Sequence, residues 1–144
     1  MEVIQRVLGV CLIGIAIAVA VWFIIDTFLE NSFDTLNVWY VLDALMAAGL
    51  AVGLVFNLAR KQRESSSMGG EAISREYLEA NAAFYLCAGI TILLLHNWFA
   101  LLFHGPDELA DSQTTGIIWV TVDALTPLVL GATGCAMWRE SSDA

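Results

Sequence analysis

Four apolar runs, each long enough to cross a bilayer, leave this 144-residue chain few ways to fold. Val7–Ile25 holds 19 residues without a charge, and Ala80–Phe103 holds 24. Val38–Ala59 and Ile117–Trp138 are of similar length, and each contains one aspartate, Asp43 and Asp123. About 20 helical residues, rising 1.5 Å each, cover the roughly 30 Å hydrocarbon layer. Backbone polar groups in that layer must be satisfied within their own segment, which selects helices. The alternating segments of about ten residues that mark an outer-membrane barrel do not occur in the sequence. The expected fold class is all-α, a four-helix transmembrane bundle in a chain that is 58% hydrophobic. The first run, read against a signal peptide, exceeds an ordinary apolar h-region and is expected to be a retained span.

The charges orient the bundle. All six Lys and Arg residues fall on one side: Arg6 before the first run, Arg60, Lys61, Arg63 and Arg75 between the second and third, Arg139 after the fourth. The other two connections, Asp26–Asn37 and His104–Gly116, contain no Lys or Arg but carry Asp26, Glu30, Asp34, Asp107, Glu108 and Asp111. By the positive-inside rule both termini and the central loop are expected in the cytoplasm, in a multi-pass protein of the cytoplasmic or inner membrane. The formal net charge of −9 belongs largely to loops. The acidic outer loops attract cations or a basic partner domain. The basic residues of the central loop are interleaved with Glu64, Glu71, Glu76 and Glu79, which speaks against nucleic acid as a partner.

The two halves resemble each other. Trp39-Tyr-Val-Leu-Asp43-Ala44-Leu45 and Trp119-Val-Thr-Val-Asp123-Ala124-Leu125 share the pattern W-x-x-x-D-A-L, and Arg63-Glu-Ser-Ser recurs as Arg139-Glu-Ser-Ser. Trp22-Phe23 is likewise echoed by Trp98-Phe99. The offsets differ by one helical turn, so the match contains a gap. The expected organisation is a tandem duplication of a two-helix hairpin: residues 1–64, a linker at 65–76 rich in Ser and Gly, and residues 77–144. Both copies start and end inside, which gives a pseudo-two-fold axis along the membrane normal. Ser74 is placed to cap the third helix. Gly49 and Gly53 form a G-x-x-x-G, and Gly131 with Cys135 and Ala16 with Ala20 repeat the small-residue spacing that lets helices approach. Cys11, Cys87 and Cys135 are odd in number and form no C-x-x-C, so they are expected to be small packing residues.

Candidate chemistry gathers in one layer. An aspartate at a helix centre costs roughly 2.5–3.5 kcal/mol on insertion scales, so Asp43 and Asp123 call for a reason. Both lie about 10 Å below the acidic boundary, as does His96 in the third run. Pro127 removes the hydrogen bond to the Asp123 carbonyl and is expected to kink the helix there. Three readings of Asp43, His96 and Asp123 stay open. They are a structural layer fed by Trp39, Trp119 or His96 donors, a proton or cation site, or a metal site. Haem across His96 and His104 fails, since eight helical residues separate them by about 12 Å in height.

No G-x-S-x-G, P-loop, G-x-G-x-x-G or H-E-x-x-H occurs, and the outer loops are too short for a catalytic domain. No cofactor is required by the sequence, and lipid is the expected companion. Small size, short loops and small-residue faces point to a non-catalytic accessory subunit of a larger membrane complex of respiratory, photosynthetic or oxygenase type, with other membrane subunits as partners. The alternative is a small oligomeric channel, transporter or ion-binding protein using Asp43, Asp123 and His96.

Overall fold

The computed structural model describes residues 2–29, 35–67, 74–105 and 112–142. These form four helices: α1 (Glu2–Leu29), α2 (Thr35–Ser67), α3 (Arg75–His104) and α4 (Gln113–Ser142). Each is long and apolar enough to cross a membrane. Ser74 caps α3 as its spacing predicted, with Oγ accepting from Tyr77 N–H at 3.1 Å. Gly105 ends that helix at φ 78°, a left-handed conformation open to glycine, and its N–H bonds Leu101 O. Ser112 begins α4 the same way, its Oγ accepting from Thr115 N–H. Helix α4 runs unbroken through Pro127.

Two boundaries differ from expectation. Ser65, Ser66 and Ser67 continue α2 rather than opening a linker; within the helix the Ser66 hydroxyl is satisfied by Gln62 O, so the serine does not compete for backbone groups outside it. Gly69 and Gly70 lie outside the described residues. Asp26 belongs to the last turns of α1, not to a loop. The loop acids Glu30, Asp34, Asp107, Glu108 and Asp111 also fall outside the described residues.

The helices alternate in direction, and contacts show which ends meet. Arg6 Nη2 donates to Ser141 O at 2.9 Å, and Gln5 Nε2 to Met137 O, joining the start of α1 to the end of α4. Arg63 and Arg60 pair with Glu140 at 2.8 and 3.3 Å, joining α2 to α4. Lys61 Nζ donates to Tyr85 Oη at 2.8 Å, joining α2 to α3. The basic residues therefore gather at one end of the bundle.

Packing does not follow the hairpins. Helix α1 packs most extensively against α4, and α2 against α3, while α1–α2 is the slightest of the main helix contacts. The α1–α4 seam is made by glycine. A Cβ on Gly134 would stand 2.6 Å from Gly9 O, and one on Gly9 would stand 2.9 Å from Gly134 O, so backbone lies on backbone. Gly49 meets Leu130 and Leu12, Gly53 meets Cys87 Sγ, and Gly131 faces Ala16 at ordinary van der Waals distance. The predicted G-x-x-x-G thus packs within the chain. Gly131 does not act with Cys135, which is exposed along with Cys11; among the cysteines Cys87 alone is a core residue. The reason is angular: Cys135 lies four residues from Gly131 but on the outward side of a helix whose buried face passes through Gly134.

Buried positions recur between helices. In α2 they include Leu42, Asp43, Met46, Leu50, Gly53 and Asn57, and in α4 Val122, Asp123, Thr126, Leu130, Thr133 and Met137, each 80 positions on. Gly9, Leu12, Ala16 and Val19 of α1 correspond to Cys87, Ile90, Leu94 and Asn97 of α3, each 78 positions on. Two clefts near the basic end follow the same registers. One, about 770 Å³, lies between α1 and α2 and is lined by apolar residues such as Ile4, Leu8, Val52 and Phe56. Its counterpart between α3 and α4, about 360 Å³, has Ala82, Leu86, Ala132 and Ala136 at the matching positions but also admits Arg60, Glu79 and Arg139.

Candidate functional site

Asp43 and Asp123 face the centre of the bundle, 2% and 7% exposed. Their helices bring them there for a simple reason. Asp43 falls on the stripe Leu42, Met46, Leu50, and Asp123 on the stripe Val122, Thr126, Leu130, so the same helical period that buries the apolar residues buries the carboxyls. Asp43 and Asp123 hold equivalent buried positions in α2 and α4, 80 positions apart. Oδ1 of each central carboxyl is buried without a hydrogen-bond partner, as are Thr126 Oγ1, one turn below Asp123, and Trp98 Nε1. A polar atom so placed costs on the order of 1–3 kcal/mol.

A cavity of about 170 Å³ reaches this layer. Among the described residues its walls are Leu36, Trp39, Asp43, Leu101 and Trp119, running from the first turn of α2 down to Asp43. Seven residues separate Leu36 from Asp43, which is about 10 Å along the helix. The Trp39 ring is fixed by Nε1–H donating to Asp26 Oδ2 at 3.0 Å across from α1. That bond answers one expectation directly. Trp39 serves Asp26, not Asp43, because its indole N–H points toward α1 and leaves the ring against the cavity.

His96 does not join the aspartates. Its residue is exposed on α3 and its Nδ1 lies 3.4 Å from Asn97 Oδ1. The inward position is its neighbour Asn97, 1% exposed, whose Nδ2 donates to Thr115 O at 3.2 Å and ties α3 to the first turn of α4. A one-residue step along a helix rotates a side chain by about 100°, which accounts for the exchange. Among the described residues no three His, Cys, Asp or Glu side chains gather as a metal would require. The set Asp43, His96 and Asp123 is therefore not assembled within one chain. Pro127 follows Thr126 at the polar layer and is half-buried, and its ring leaves the Asp123 carbonyl without the usual helical donor.

A second polar pair lies deeper. Asn57 Nδ2 donates to Thr133 Oγ1 at 3.0 Å, both residues buried, bridging α2 to α4 one turn inside Arg60. The Cys87 thiol nearby donates to Leu50 O at 3.6 Å. Asn57 and Asn97 were not singled out in the sequence, although both continue core stripes: Leu50, Gly53, Asn57 and Ile90, Leu94, Asn97. An asparagine on such a stripe is the signal that would have found them. No protein-family model, curated protein or solved structure matches this chain.

Proposed function

We propose that the protein is a small membrane protein that binds a monovalent cation at the Asp43–Asp123 layer and passes it along the bundle, entry being from the Trp39/Trp119 end. The observation that carries this is the pair of buried carboxyl groups, each with one oxygen lacking a hydrogen-bond partner, in a layer that a cavity reaches at Asp43. A layer held for structure alone would have its acceptors satisfied by Trp, Thr or His donors. Here Trp39 is committed to Asp26, His96 is exposed, and Thr126 is itself unpartnered. In this reading the basic end faces the cytoplasm, the acidic loops concentrate cations outside, and the bundle is a tandem repeat of a hairpin with α2 and α4 as its equivalent carboxylate-bearing helices. The shared burial registers support the repeat. The purified chain in liposomes should conduct or exchange a monovalent cation or proton. Asp43→Asn combined with Asp123→Asn should reduce that flux at least tenfold with expression unchanged. Undiminished flux in the double variant would remove the reading.

A second reading, that the chain is a non-catalytic subunit of a larger membrane complex, is favoured by the cleft between α1 and α2. That cleft is wide and apolar, and its counterpart between α3 and α4 is smaller and partly closed by Arg60, Glu79 and Arg139. An apolar groove of this kind accepts a helix of a partner subunit.

A further inference from the structure

We infer that the cation held at this layer is a small methylated ammonium ion, enclosed by Trp39 and Trp119 above the Asp43 carboxyl. The inference rests on the cation-binding reading and specifies its ligand. Sodium or potassium gives up water only to several oxygen ligands at once, because each hydration oxygen has to be replaced. The described walls of the cavity do not offer them: these are two indoles and two leucines, with Asp43 the one charged residue among them. Asp123 and Thr126, each with one buried oxygen lacking a partner, are not among its described walls. A divalent or transition metal fares no better, since no cluster of three ligating side chains exists among the described residues.

An alkylated ammonium ion has the opposite needs. Its charge is spread over methyl groups that hold water weakly, so aromatic and aliphatic walls solvate it well. Indole is the strongest of the aromatic partners for such a cation. Asp43, 2% exposed and among the residues lining the cavity, supplies the countercharge. Size agrees too. A dry cavity of about 150 Å³ accepts a guest of benzene dimensions, and this one measures about 170 Å³. Tetramethylammonium, with five heavy atoms, falls within that bound. The Asp26 bond to Trp39 Nε1 holds one wall in place before the ligand arrives, which lowers the cost of ordering it.

The test is titration of the purified chain in detergent with tetramethylammonium chloride, ionic strength held constant with NaCl, read by tryptophan fluorescence and calorimetry. Saturable binding is expected, with no saturable response to sodium, potassium or the neutral tert-butanol. Trp119→Leu and Asp43→Asn should each weaken binding about tenfold or more, and Trp119→Phe should retain part of it. Absence of saturation by tetramethylammonium, equal saturation by sodium, or unchanged affinity in Trp119→Leu would overturn the inference. The liposome flux of the aspartate double variant is measured alongside. If flux depends on the aspartates while tetramethylammonium fails to bind, the ligand assignment falls and the cation site stands. If flux is indifferent to the aspartates as well, both fall.

Discussion

Asp43 shows what a single residue can disclose. Its helix buries it by periodicity, yet its Oδ1 has no partner. Replacement with leucine removes a buried polar group whose desolvation nothing offsets. Asp43→Leu is therefore expected to raise the melting temperature in detergent, by the equivalent of about 1–3 kcal/mol. A structural carboxylate would respond the other way, because its abandoned donors would then be unpaired. Thermal unfolding followed by circular dichroism decides between them, and a lower melting temperature would place Asp43 among structural residues. Asn57 is intermediate: its Nδ2 donates to Thr133 Oγ1 from a fully buried position while its Oδ1, like that of Asp43, has no partner, so its truncation forfeits one hydrogen bond and relieves one unpaired acceptor.

At the scale of helices, the bundle depends on the α1–α4 crossing more than on either hairpin. Gly9 and Gly134 put backbone against backbone, where even a methyl group meets a carbonyl oxygen. Gly134→Val should force the helices apart and destabilise the bundle by about 2 kcal/mol or more, within the range seen for overpacked interiors. Gly131→Ala, whose Cβ would meet Ala16 at 3.8 Å, should be tolerated within about 0.5 kcal/mol. Equal losses from the two variants in a detergent-stability assay would refute a glycine seam centred on Gly134. The sequence displayed small residues in α4 at Gly131, Gly134 and Cys135, but only the angular position of α1 selected among them. The ion pairs of Arg60 and Arg63 with Glu140 register α2 against α4 at the basic end and, being partly exposed, contribute little each.

For the whole molecule, the open question of company is settled by extraction in native lipid followed by native mass spectrometry. In the subunit reading, larger chains copurify at fixed stoichiometry, and Val55→Glu, on the wall of the α1–α2 cleft, releases them. In the cation-site reading, the chain appears alone or as a homo-oligomer, and the same substitution leaves its assembly unchanged. Reproducible recovery as a homo-oligomer alone would end the subunit reading.

Length and apolar content determined by themselves that four helices of membrane-crossing length would form, because hydrocarbon leaves the backbone no other means of satisfying its hydrogen bonds. Ser74 was legible for a similar reason, since a cap is local chemistry. The aspartates also announced themselves, because charge in an apolar run is rare enough to be noticed without a structure. What faces what was decided by tertiary structure alone. Whether His96 or Asn97 points inward, whether Trp39 serves Asp26 or Asp43, and whether Gly131 or Gly134 carries the seam each turns on rotations of about 100° per residue. Helices apolar enough to cross a membrane carry apolar residues on their outer faces too, so the contrast of hydrophobic and polar sides that fixes such rotations in a water-soluble bundle is weak in the sequence. Close packing against neighbouring helices supplies it.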